Sequence, residues 1–303
     1  MKSSERISRS LCLLGLCLTM VLFSLPANGA VLGDGDGLNV GDVLIGPCGV
    51  PGAMGPTGVN DDFTNRSVNT GIANIPPGGV TTAAGTVVFR NTVQNTGAGD
   101  DVFVISAPTV PAGFRVEVSI DNGDNYTILE AAFAGVSLPL SYRAARILLV
   151  RVTAPAGLKI LTGFDVVIRA TSTAMITATN ETIDRLYTGF VRLDKSVTVV
   201  DAAADSTVAA PGAEIEVTVT YSNVTTAGGV GNSLLTAHNL VINEDGSAAS
   251  NNWAQTTEHV VGASDTQGGF ILGDRAGSTS LTDIITTLEA GQSGVFKFRR
   301  RIK

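Results

Sequence analysis

Pro211-Gly212-Ala213-Glu214-Ile215-Glu216-Val217-Thr218-Val219-Thr220-Tyr221-Ser222-Asn223 is the stretch that decides the fold. Pro-Gly signals a turn, because proline presets its own φ and glycine accepts a positive one. Behind it, Ile215, Val217, Val219 and Tyr221 alternate with Glu214, Glu216, Thr218 and Thr220. Period two with one polar face predicts a half-buried antiparallel strand. A looser copy lies upstream, Gly85-Thr86-Val87-Val88-Phe89-Arg90-Asn91-Thr92-Val93-Gln94-Asn95. Both copies run from a turn glycine through a strand to an asparagine. The segments Ala156-Gly157 to Gly163-Phe164-Asp165-Val166 and Ala290-Gly291 to Gly294-Val295-Phe296-Lys297-Phe298 also echo one another. Agreement at both ends predicts two related β-modules in tandem.

The other strand signals fit that frame. In the first half, alternating or apolar runs start near Phe63 and Val68 and recur at Val87–Asn91, Val102–Ile105, Phe114–Ile120, Tyr126–Leu129, Leu148–Val152 and Phe164–Ala170. Asn122-Gly123 between two of these runs predicts a hairpin, since both residues tolerate positive φ. In the second half, strands are expected at 193–200, 213–222, 236–243, 257–262, 269–272, 282–287 and 294–302. No convincing amphipathic helix is present. The chain of 303 residues is 44% hydrophobic, only 16% charged, and holds 35 glycines. Short strands with Gly/Pro turns mean a sandwich or barrel. The predicted fold class is all-β, two tandem Ig-like antiparallel sandwiches.

Lys2, Arg6 and Arg9 precede an apolar run from Leu11 to Phe23, followed by small residues up to Ala30. That pattern predicts a secretory signal peptide over 1–30, and the apolar run is shorter than the ~20 residues that cross a bilayer. A Gly/Pro-rich flexible leader is expected at 31–62, one sandwich at 63–189 and the second at 190–303. The expected location is exported: cell surface, periplasm or extracellular. Without Lys2, Arg6, Arg9 and Glu5, 17 basic and 26 acidic residues remain, a net charge of −9. An acidic surface disfavours nucleic acid as a partner. Cys12 and Cys17 leave with the signal, so Cys48 has no intramolecular partner and is open only to an intermolecular bridge.

Leu193 and Lys195, Pro211-Gly212, Tyr221 and Asn223, Ala237-His238-Asn239-Leu240 and Leu288-Glu289-Ala290-Gly291 occur in that order. On those residues, 190–303 resembles the Ig-like conserved repeat domain of unknown function (the one numbered eleven) of bacterial and archaeal surface proteins. Asn243-Glu244-Asp245-Gly246 departs from the usual Asp-x-Leu-Pro, and Ala290 stands where proline is common. Residues 63–188 resemble a more divergent Ig-like relative. The resemblance implies a fold and a cell-surface setting, and carries no chemistry.

Candidate chemistry is sparse. The two histidines, His238 and His259, with one distant cysteine fall short of the three or four ligands of a zinc site. No Gly-x-Ser-x-Gly elbow or phosphate loop is found, so no catalytic residue or organic cofactor is expected. Calcium is the one ion considered. Asp34 and Asp36, with Asn39 and Asp42, place oxygens in a glycine-rich loop, and Asp100, Asp101, Asp121 and Asp124 sit at loop tips. Ordinary Asx turns explain the same residues. Trp253, flanked by Asn251, Asn252 and Gln255, is either a sugar platform or a loop anchor. Asn65, Asn125, Asn180 and Asn223 stand in Asn-x-Ser/Thr sequons. Lys297, Arg299, Arg300, Arg301 and Lys303 form a basic end, read either as edge protection or as a dock for an acidic neighbour. The expected function is a non-catalytic structural or adhesion module whose partners are envelope or surface proteins or polysaccharide. The alternative is a carbohydrate- or Ca2+-dependent ligand-binding module.

Overall fold

The computed structural model describes residues 42–68, 78–129, 134–200, 209–248 and 252–303. The expected signal peptide and the candidates Asp34 and Asp36 lie outside them. Among the described residues, ten strands build the first half: β1 (Val43–Pro47), β2 (Phe63–Ser67), β3 (Gly85–Asn95), β4 (Asp101–Thr109), β5 (Arg115–Ser119), β6 (Thr127–Ile128), β7 (Val136–Leu140), β8 (Ala145–Ala154), β9 (Gly163–Ser172) and β10 (Thr179–Tyr187). They form two sheets, β1-β3-β8-β5-β6 and β2-β10-β9-β4-β7. Phe89, Phe103, Ile105, Val150 and Ile168 are among the side chains buried between them.

The second half contains β11 (Val191–Val199), β12 (Glu214–Asn223), β13 (Ala237–Asp245), a single helical turn α1 (Trp253–Thr256), β14 (Thr257–Asp265), β15 (Phe270–Leu272), β16 (Ser280–Leu288) and β17 (Ser293–Ile302). Its sheets are β11-β12-β17-β14 and β13-β16-β15. The apolar row of β12 supplies Val217, Val219 and Tyr221 to this core, where they meet Ile285, Leu288, Phe296 and Phe298. The turn before β12 is closed by Ala213 N–H donating to the Ala210 carbonyl, with Gly212 at φ 89°. This is the type II geometry that Pro-Gly favours. The fold is all-β, as the alternation predicts, and all seven second-half strands fall where expected.

Three expectations need correction. Residues 43–47 belong to no flexible leader: Val43-Leu44-Ile45 pairs with β3 as β1, and Val43 and Ile45 are buried. A strand this short between glycines and prolines has too few residues to show a period. The sheets are not wholly antiparallel, because β2 runs parallel to β10. The third correction concerns the repeat. β9, which begins at Gly163, sits in the opposite sheet from β3, so it does not match β17, which pairs with β12.

The true counterpart of β17 is β8, which pairs with β3. Asn95 and Asn223, the last residues of β3 and β12, confirm the match. Asn95 Nδ2 donates to the Leu140 carbonyl at 3.1 Å, and Asn223 Nδ2 to that of Leu288 at 3.1 Å. Each Oδ1 accepts the N–H two residues on, from Gly97 and Thr225. Each backbone N–H donates to the residue before the next strand, Ala144 or Gln292. Hence Leu140-Ser141-Tyr142-Arg143 is the partner of Leu288-Glu289-Ala290-Gly291. Arg143 at φ 60° holds the place of Gly291 at φ 74°. The shared backbone conformation was hidden because only one copy marks it with glycine.

Candidate functional site

The polar face of β12 accounts for most of the basic end. Glu216 pairs with Lys297 and Arg299 at 3.1 and 3.2 Å, and Glu214 with Arg301 at 2.7 Å. The hydrogen bond from Lys297 leads in holding the Glu216 carboxyl below its usual range, with Arg299 adding to it. These cations are therefore already opposed across the strands and form no free basic dock. Arg300 points the other way and is 1% exposed. It donates to the Thr257 hydroxyl and carbonyl, and burial lowers its pKa to about 10.

Trp253 is the lid over that guanidinium, 3.8 Å from the ring centroid. Phe298 packs 6.0 Å from the same ring, and a Cβ at Gly246 would fall 2.3 Å from the indole. With its faces occupied, the indole anchors the loop and offers no platform to a sugar. Asn65, Asn180 and Asn223 are buried with bonded amides, which removes them as glycan acceptors; Asn125 is exposed.

The loop-tip carboxylates act locally. Asp121 accepts the Ser119 hydroxyl and the Asn125 amide groups, which lower its pKa to about 2. The expected hairpin is formed here, with Asn122 and Gly123 both at positive φ. Asp100 caps the Tyr142 N–H, and Asp101 is buried against the Ser172 hydroxyl at 2.5 Å. Asp124 is exposed in the same turn. The structure does not bring these four into one site. Among the described residues no three His, Cys, Asp or Glu side chains gather around a common point. His238 is exposed on β13, while His259 is buried with its Nε2 2.7 Å from Asp274. Cys48 is free and exposed.

Two features escaped the sequence. The first is the junction between the sandwiches, built on the outer edge of β2. Asn65 N–H donates to the Ser233 carbonyl at 2.8 Å, and Ser233 N–H to that of Phe63 at 3.1 Å. Met54 and Val230 exchange both backbone bonds at 2.9 Å. Thr226 is gripped as well: its hydroxyl accepts from Arg185 at 2.6 Å, and its N–H donates to the Tyr187 hydroxyl at 3.0 Å. Asp165 fixes Arg185 through two bonds. Gly229 and Gly231, both at positive φ, permit the approach; a Cβ at Gly231 would meet Val50 at 2.6 Å. The described residues accordingly make one compact unit.

The second feature is polar and internal. Asp62, Thr182, Asp184 and Asn91 are each 0% exposed inside the first sandwich. Burial pushes Asp62 up to about 7, against the Thr182 hydrogen bond, and lifts Asp184 well above the ordinary carboxylate range. The second sandwich has a smaller analogue. Asp283 is 0% exposed, and neither of its oxygens meets a donor. Burial, then the charge of Asp265, raise it to about 6, while Asp265 accepts the Tyr221 hydroxyl at 2.6 Å.

No protein-family model matches the chain, and no curated protein is similar to it in sequence. Among solved structures, the C-terminal domain of the Streptococcus agalactiae AgI/II polypeptide BspA is similar at a TM-score of 0.35 and 10% identity, over 83% of this chain and 90% of that one. The N-terminal domain of PorA is similar at 0.29 and 11%, over 49% of this chain and 99% of that one. The secreted serine protease VesC of Vibrio cholerae is similar at 0.23 and 11%, over 78% of this chain and 45% of that one. No function passes to this chain from likenesses of this strength.

Proposed function

We propose that this chain is an exported, non-catalytic structural and interaction module, built from two Ig-like sandwiches of the conserved-repeat type and working at the cell surface. The junction carries the reading. Backbone bonds from the 224–233 loop run along β2, so the second sandwich is held on the first by a ladder and not by a tether. A stiff two-sandwich body suits spacing and presentation of surfaces, with contacts made by loops and strand edges. The basic, apolar and small-residue order of 1–30 supports export, and no helix among the described residues is long and apolar enough to cross a membrane. Envelope proteins or polysaccharide are the partners this setting offers.

Fractionation of cells making the chain, followed by mass spectrometry of its N-terminus, tests the proposal. The expected result is a chain cut near Ala30 that co-purifies with envelope or culture medium. An intact N-terminus in the cytosolic fraction would refute export, and turnover in a hydrolase screen would refute the non-catalytic role.

A further inference from the structure

The interior of the first sandwich holds a row of oxygens that its own donors do not satisfy. In the parallel pair, Thr64 is the register partner of Asp184. Parallel partners project to the same face, so Thr64 stands beside Asp184 and one residue pair along from Asp62 and Thr182. Asn91 faces them from the other sheet, its Nδ2 3.1 and 3.0 Å from the two Asp184 oxygens. Thr182 donates to Asp62 Oδ2 at 2.6 Å. That leaves Asp62 Oδ1, Asn91 Oδ1 and the Thr64 hydroxyl, all in residues at most 4% exposed, with no hydrogen-bond partner. Among the described residues, Arg66 is the basic group whose charge acts on Asp184, while Asp62 opposes it.

Unpartnered buried oxygens are costly. A proton on each carboxyl would add two O–H donors for these oxygens, but only by holding two neighbouring carboxyls neutral. One hard cation satisfies carboxylate, amide and hydroxyl oxygens together, and oxygen-only surroundings are what such ions take. We infer that Asp62, Asp184, Asn91 and Thr64 form an internal site for a hard divalent cation of the Ca2+ type, joining β2 and β10 to β3, with the Asn91 amide turning over on binding so that Oδ1 takes the place of Nδ2 beside Asp184. The site is separate from the loop-tip aspartates. Its place also matters: Phe63 and Asn65, on the opposite face of β2, carry the junction. A cation here would brace the strand on which the second sandwich hangs.

Equilibrium dialysis of the full chain, stripped with EDTA and then exposed to CaCl2, tests the inference. One Ca2+ should bind with a dissociation constant no weaker than about millimolar, as in extracellular modules, with a rise in melting temperature. Asp184→Asn should abolish binding, and Thr64→Val, which keeps shape, should weaken it about tenfold. The double variant Asp121→Asn/Asp124→Asn should bind as before. Absence of binding to the unmodified chain at millimolar CaCl2 would overturn the site. So would binding that persists in folded Asp184→Asn, or that is unchanged by Thr64→Val should Asp184→Asn fail to fold. Loss of binding in an Asp34→Asn/Asp36→Asn variant would also overturn it by locating the ion elsewhere.

Discussion

At the scale of single residues, the same anchor is used twice. Asn95 and Asn223 each tie the end of a central strand to the close of the strand in the facing sheet. Each is buried and bonded through both ends of its amide. Replacing Asn223 by Ala leaves the carbonyls of Leu235 and Leu288 and the Thr225 N–H without their partner. Urea unfolding should show a loss of ~2–3 kcal/mol, from two or more hydrogen bonds at about 1 kcal/mol each. Arg143 offers the opposite case. Its φ of 60° strains a non-glycine residue, and its counterpart is Gly291. Arg143→Gly should therefore stabilise by about 1 kcal/mol in the same assay; a loss would show that its contact with the Tyr142 ring outweighs the strain.

Asp283 sets a pH dependence. Its folded pKa of about 6 lies above the ordinary 3.8, because of burial and of Asp265 beside it, with Tyr221 bonded to that neighbour. A raised carboxyl favours folding while protonated, so its contribution is whole below about pH 4 and is lost as pH rises through 6. Thermal melts between pH 4 and 7 should fall less steeply for Asp283→Asn than for the unmodified chain. Equal slopes would mean that Asp283 ionises freely in the folded state.

At the scale of elements, legibility followed the chemistry of the inward row. β12 was readable because Val217, Val219 and Tyr221 are apolar and their neighbours polar. β10 was not, because its inward row is Asn180, Thr182, Asp184 and Leu186, which looks like a polar loop in sequence. The strand that hid from the pattern is the one that carries the internal oxygen site. The same limit applies to the junction, since contacts between Asn65 and Ser233 have no local sequence signature. The basic end was legible as charge but not as pairing, since Glu214 and Glu216 meet it only in the folded register. Glu214→Gln/Glu216→Gln should cost at most ~1 kcal/mol, because such pairs are exposed. The deficit should shrink in high salt, as read by melting temperature. A salt-independent loss would show that packing, not charge, joins β12 to β17.

At the scale of the molecule, two sandwiches behave as one body. The linker of residues 188–190 is short, and the 224–233 loop adds a second attachment on β2. Gly231→Ala should weaken that attachment by ~1–3 kcal/mol, combining a strained φ with a clash at Val50. Hydrogen exchange at the backbone amides of Met54, Asn65, Val230 and Ser233 tests the claim most directly. If the ladder holds the sandwiches together, these four amides exchange as slowly as amides inside β3 and β12, and Gly231→Ala speeds them selectively. Exchange at the rate of exposed loop amides would contradict the junction and leave two independent modules.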